Sequence, residues 1–105
     1  MIKPGAVTLA EHELIEDKHI RMKYGYTIAD HADHIVFAEL AEFVEKTLSY
    51  EKDSEAVYDV DGSVFQRFSS GENHIIIESD IETDYVALIS NIQLPITCLA
   101  KWTVD

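Results

Sequence analysis

The sequence predicts an α+β fold: one long amphipathic helix packed on a twisted antiparallel sheet of about five strands. Three observations carry that expectation. Apolar residues recur at helical spacing in one clear stretch, between Asp30 and Tyr50. Much of the remaining chain alternates apolar and polar residues in short runs. An Asp61-Gly62 pair separates two of these runs, as in a hairpin. One helix set apart from a succession of strands defines the α+β class.

The elements follow in chain order. Pro4-Gly5 marks an irregular start. Val7 to Glu16 is ambiguous: Thr8 and Glu11 have capping-box spacing for a short helix, whereas Val7 and Leu9 followed by Glu11 and Glu13 suit a strand. Glu16-Asp17-Lys18 reads as a turn. His19 to Ile28 is the clearest strand, with Ile20, Met22, Tyr24, Tyr26 and Ile28 on one face. The opposite face carries Arg21 and Lys23, a basic stripe expected to sit near acids of a neighbouring strand. Asp30 caps a helix that runs to about Tyr50, with Asp33 in its first turn. Its buried stripe is Val36, Phe37, Leu40, Ala41, Val44 and Leu48, widened by Phe43. Glu42 and Lys46 are spaced as an i,i+4 pair on the outer face.

Ala56 to Val60 and Ser63 to Ser70 form the two arms of the Asp61-Gly62 hairpin, in a register that loop length leaves open. His74 to Ser79 is a strand centred on Ile75-Ile76-Ile77. Tyr85 to Gln93 is apolar on both faces at Val86 to Ile89, as in a central strand. Beyond Pro95, Ile96, Cys98, Ala100, Trp102 and Val104 alternate as a last strand. The helix covers one face of the sheet, and the other face is expected to be partly open. Core positions are expected for most of Tyr24, Tyr26, Tyr50, Tyr58, Tyr85 and Trp102, and any exposed on the open sheet face would be interface anchors.

All 105 residues fit one domain with one core. Twenty acids against eight bases give a net charge of −12. Such a field repels nucleic acid and anionic lipid and attracts basic partners. Cys98, the sole cysteine, excludes an internal disulfide and fits a buried strand position. No signal peptide and no membrane-spanning run is read, so the expected compartment is the cytoplasm.

Candidate chemistry is sparse. Asp30-His31-Ala32-Asp33-His34 brings two histidines to i,i+3 beside carboxylates, but lacks the His-Glu-x-x-His pattern of zinc hydrolases. Asp59-Val60-Asp61-Gly62-Ser63 resembles part of a calcium loop, yet Val57 and Phe68 stand where oxygen ligands are needed. No nucleophile elbow or phosphate loop occurs. Five histidines, at 12, 19, 31, 34 and 74, leave acid–base chemistry open without selecting a residue. Neither a catalytic residue, a metal site nor a cofactor is therefore assigned.

Acidic alternation is the stronger pattern. Glu78, Asp80, Glu82 and Asp84 recur at i+2, as do Glu51, Asp53 and Glu55, Asp59 with Asp61, and Glu11 with Glu13. In extended chain such side chains share a face, about 6.6 Å apart, and would draw a line of negative charge. A polar hairpin loop over 80–84 would break that line. These observations lead to the expectation of a small acidic inhibitor. It neutralises a basic, nucleic-acid-handling protein, in the manner of a toxin immunity protein or an anti-defence DNA mimic. The partner-binding residues would be Glu51, Asp53, Glu55, Glu78, Asp80, Glu82 and Asp84, with no direct contact to nucleic acid or membrane. Two other classes stay open. One is a small enzyme or ligand-binding domain with a pocket lined by histidine and tyrosine. The other is a subunit of a larger assembly or a homodimer, joined through the open sheet face or an edge.

Overall fold

The structure, a computed structural model, describes residues 3–4, 14–15, 20–22 and 24–94. For 3–4, 14–15 and 20–21 only the backbone is described. In chain order the elements are β1 (Lys3–Pro4), β2 (Leu14–Ile15), β3 (Ile20–Arg21) and β4 (Tyr24–Ala29). Then come α1 (His34–Lys46), β5 (Glu51–Lys52), β6 (Val57–Tyr58), β7 (Val64–Ser70), β8 (Asn73–Asp80) and β9 (Tyr85–Ser90). The main sheet is antiparallel in the order β1-β4-β9-β8-β7-β5. β6 also pairs with β7, on the same side as β5, so six strand positions are filled. β2 and β3 form a separate small ribbon. The class is α+β, as expected, with one strand position more than the sequence suggested.

The helix is shorter than expected, 13 residues, and both differences have physical causes. At its start, Asp33 rather than Asp30 is the cap: its backbone is extended, and its carboxylate accepts from Ile35 and Val36 N–H at 2.8 and 3.1 Å. The preceding amides are held by the strand side instead, Ala32 N–H by Asp84 and Asp33 N–H by Ser79 Oγ. At its end, Thr47 and Leu48 N–H both donate to Phe43 O, and Tyr50 N–H donates to Val44 O. Between them Ser49 turns the chain in the left-handed region at φ 62°. Glu42 and Lys46 do not pair; Lys52 approaches Glu45 at 4.0 Å.

The expected stripe is the buried one. Phe37, Leu40, Phe43 and Val44 pack with Tyr26, Ile28, Val64, Phe68, Ile75, Ile77, Val86 and Leu88, flanked by half-buried Val36, Ala41 and Leu48. Strands β8 and β9 are central and buried on both faces, as the apolar run Val86 to Ile89 requires. The second face is accordingly not open there: Met22, Ile76, Ala87 and Ile89 form their own buried cluster, with Glu78 buried beside them. Among the described residues it opens towards the β6–β7 edge, at Val57, Phe65 and Arg67.

The turns separate three ways. Val60-Asp61-Gly62 is a three-residue loop: Asp59 N–H donates to Ser63 O, Gly62 N–H donates to Asp59 O, and only Gly62 has positive φ, 96°. A type I′ turn would need positive φ at Asp61 as well, so the Asp-Gly pair serves a bulged hairpin instead. Gly71-Glu72 joins β7 to β8 in two residues, with Gly71 at φ 62°. Ile81 to Asp84 joins β8 to β9 in four.

The basic stripe, the possible helix or strand over 7–16, the turn at 16–18, His12, His19 and the expected last strand with Cys98 and Trp102 fall wholly or largely outside the described residues. Of them, only the strand pairing of Leu14–Ile15 with Ile20–Arg21 is seen.

Candidate functional site

Three segments meet at one end of the sheet: the entry to α1, the β6–β7 hairpin loop and the β8–β9 loop. Short-range polar chemistry shapes each segment. In the β6–β7 loop, Asp59 and Asp61 carboxylates accept from Val60 and Ser63 N–H at 2.7 and 2.8 Å. In the β8–β9 loop, Asp80 accepts from Glu82 N–H at 2.9 Å and Thr83 N–H at 3.3 Å. Long-range bonds then tie them together. His34 Nε2 donates to Gly62 O at 2.7 Å, Ile81 N–H donates to Ser63 Oγ at 2.9 Å, and Asp84 holds His31 and Ala32.

The expected line of charge through residues 78–84 is therefore interrupted. Glu78 is in β8 and buried, accepting from Tyr85 O–H at 3.0 Å. Asp80 ends the strand, and Glu82 and Asp84 belong to the loop. What the fold gathers instead is broader. Residues 30–36, 57–65 and 78–86 hold Asp30, Asp33, Asp59, Asp61, Glu78, Asp80, Glu82 and Asp84 without a lysine or arginine. Residues 24–94 carry fifteen acids and three bases, so the whole net charge of −12 falls within them. A shallow cleft of about 190 Å³ on this end is lined by five of the acids, Asp59, Asp61, Glu78, Asp80 and Glu82.

The second expected cluster runs along the sheet edge towards the same end. Glu51 pairs opposite Ser69, Asp53 N–H donates to Arg67 O, and the chain reaches Tyr58 opposite Val64. Glu51, Asp53 and Glu55 are exposed. Asp53 accepts from Ser69 O–H at 2.6 Å. Among the described residues nothing engages the carboxylates of Glu51, Glu55 or Glu82. The seven expected residues thus divide into acids that shape the chain, Asp53, Asp80 and Asp84, a buried one, Glu78, and three that face solvent alone.

Charge moves protons at two places. The hydrogen bond from His31 to Asp84 raises the imidazole above its ordinary 6.5, and the same bond lowers the Asp84 carboxyl below 3.8. Burial, with the nearby Glu78 carboxylate second, pushes the Tyr85 phenol up to about 12. Burial also raises the Tyr50 phenol. His31 and His34 bond to separate partners, and no group of three His, Cys, Asp or Glu among the described residues is arranged to hold a metal ion.

Several surface features escaped the sequence reading. Tyr58, expected with the core tyrosines, is 66% exposed; Tyr26 and Tyr50 are buried, and Tyr24 and Tyr85 half-buried. Val60 is fully exposed, and Ile81 is 46% exposed. A signal existed for the last two: each is a lone β-branched residue between acids in a turn, where no strand partner can cover it. A groove of about 560 Å³ also runs between α1 and the β5–β6 edge, past His34, Tyr58 and Gln66.

No protein-family model matches the chain, and neither a curated protein nor a solved structure is detectably similar to it. The helix of the described residues is not long and apolar enough to cross a membrane.

Proposed function

We propose that the chain is a small acidic protein-binding inhibitor that covers a basic, nucleic-acid-handling partner. One observation supports this above the others: three separate segments bring eight acids and no lysine or arginine to one end of the fold. Carboxylates held in that way act as a preset field, which speeds encounter with a basic cleft and selects against acidic competitors. Glu51, Asp53 and Glu55 extend the field along the neighbouring edge. Within residues 24–94 compensation is slight, since Lys46, Lys52 and Arg67 are the only bases there.

The test uses the acids that face solvent alone. The partner is first recovered from the native host by affinity capture. Glu51→Gln, Glu55→Gln and Glu82→Gln are then combined, and association is followed against salt. The expected result is a slower on-rate at low salt and a shallower salt dependence, with the fold unchanged by circular dichroism. An unaltered on-rate and slope would remove the acidic surface from the binding mechanism.

A second reading has its own observation, the groove beside α1 with His34 and Tyr58 at one end. A small-molecule site there would show as ligand-induced shifts of the His34 ring resonances that His34→Gln abolishes.

A further inference from the structure

We infer that Tyr58, Val60 and Ile81 form the apolar anchor of the binding surface, and that its occupant is a protein segment carrying apolar residues flanked by lysine or arginine. The inference rests on the proposed acidic binding role and adds to it a centre that charge alone does not supply.

The three residues stand on segments that a chain of contacts holds together. The Tyr58 ring meets the His34 ring edge-on, with centroids 5.8 Å apart. His34 donates to Gly62 O. Ile81 lies against Gly62, 3.6 Å from where a Cβ on that residue would stand, and its N–H is fixed by Ser63. Val60 rides on the same turn, two residues before Gly62. Ile35, beside His34, is exposed as well. Isolated exposed apolar residues are ordinary; here several stand on three segments that hydrogen bonds hold at one end of the sheet.

The surroundings select the occupant. Asp59 and Asp61 flank Val60, and Asp80 and Glu82 flank Ile81. An apolar centre with a charged rim is the usual anatomy of a protein interface, in which a few central residues carry most of the energy. Among the described residues the rim is of one sign, so the segment seated on it must carry the opposite sign. A second copy of the chain is disfavoured by the same count, because it would set eight acids against eight with no base among them. Strand addition to the β6 edge is also poorly served. Asp59 and Ser63 are hydrogen-bonded across the hairpin, so by alternation only Tyr58 of β6 turns its N–H and C=O outward. The side-chain patch is the larger offering.

The probes are two short synthetic peptides of equal charge, oligolysine and a lysine peptide with two leucines inserted. Each is titrated into the labelled protein and followed by backbone amide shifts. The expected result is that both peptides shift residues 58–63 and 80–84, with the leucine peptide binding more tightly. Val60→Ser and Ile81→Ser should each erase roughly five- to tenfold of that affinity, as truncation of an interface anchor does. They should leave oligolysine binding unchanged. Equal affinity of the two peptides, insensitive to both substitutions, overturns the apolar anchor while leaving the acidic role standing. Absence of shifts with either peptide overturns both. A concentration-dependent dimer that Val60→Ser abolishes would show the occupant to be a second copy and overturn the basic-segment assignment.

Discussion

Asp84 is 2.9 Å from His31 through one carboxylate oxygen and 2.9 Å from Ala32 N–H through the other, across more than fifty residues of sequence. One side chain thereby fastens the β8–β9 loop to the entry of the helix. Its backbone, at φ 56°, is left-handed, a conformation that aspartate tolerates better than most residues. The two partners titrate in opposite directions. His31 has its pKa raised above 6.5, so its contribution to stability is complete below pH 6.5 and is lost as pH rises through the folded value. Asp84 has its pKa lowered below 3.8, so its contribution is present above pH 3.8 and is lost as pH falls through the folded value. The pair is therefore fully formed between about pH 4 and 6.5. A histidine-ring NMR titration should give His31 a pKa above 6.5, and Asp84→Asn should return it towards 6.5. An unmoved His31 in that variant would disprove the contact.

Ser49 also adopts a left-handed conformation, φ 62°, but no side-chain hydrogen bond among the described residues compensates it. A non-glycine residue in this region costs about 1–2 kcal/mol, while glycine enters it freely at some cost in unfolded-chain entropy. Ser49→Gly should therefore stabilise the protein by about 0.5–1 kcal/mol in urea unfolding. A loss of stability would show that Ser49 contributes something its backbone geometry conceals.

The Ser49 turn also illustrates what the sequence could and could not reveal. The helix face was legible because its apolar residues repeat locally, and Leu40, Val44 and Phe37 are buried as that repeat requires. The helix ends were not, because the decisive partners are remote: Asp84 and Ser79 withdraw the amides of residues 32 and 33, 46 to 52 positions away. Likewise i+2 spacing revealed acids spaced to share a strand face, but not that Asp59, Asp61 and Asp80 would each accept from nearby backbone N–H groups. Turn-forming aspartate and solvated glutamate look alike until the chain direction is known. The exposure of Val60 and Ile81 was illegible in the periodicity for the converse reason: a single apolar residue between acids carries no repeat that tells a turn from a strand.

Leu40 is the test of the helix face. It is fully buried between the helix and the sheet. Truncation removes its transfer energy and leaves a cavity, so Leu40→Ala should cost about 2–5 kcal/mol in urea titration. Ile35, on the same helix but exposed, provides the contrast: Ile35→Ala should change stability by less than about 0.5 kcal/mol. Similar losses at both sites would mean that the helix is rotated from the orientation described.

Tyr85 gives an alkaline prediction. Its phenol is pushed up to about 12, by burial first and by the charge of Glu78 second. A phenol that holds its proton more tightly when folded contributes stability that is complete below its ordinary 10.0 and is lost as pH rises towards 12. Ultraviolet titration should show Tyr85 ionising well above 10.0, with the folded state weakening over that interval. Glu78→Gln should lower the Tyr85 value while leaving it above 10.0, because the burial contribution remains. A return all the way to 10.0 would reverse the order of the two causes.

The last prediction separates acids that build turns from acids that only add charge. Asp33 accepts two helix N–H groups and Asp80 two loop N–H groups, so each satisfies donors that would otherwise turn to water. Asp33→Ala and Asp80→Ala should each destabilise the protein by about 1 kcal/mol, the scale of a lost cap, and added salt should not restore the loss. Glu51, Glu55 and Glu82 satisfy no donor among the described residues and add to a field that already repels itself. Their replacement by glutamine should raise stability slightly at low salt, by on the order of 0.5 kcal/mol or less each. Salt screens the repulsion that the glutamates contribute, so the gain should vanish at high ionic strength. Urea unfolding of all five variants at two salt concentrations decides the matter. If the glutamine variants lose stability, these glutamates are structural after all and the field is not free for a partner. If the gain persists in high salt, it arises from something other than charge, and the case for an electrostatic surface loses its thermodynamic support.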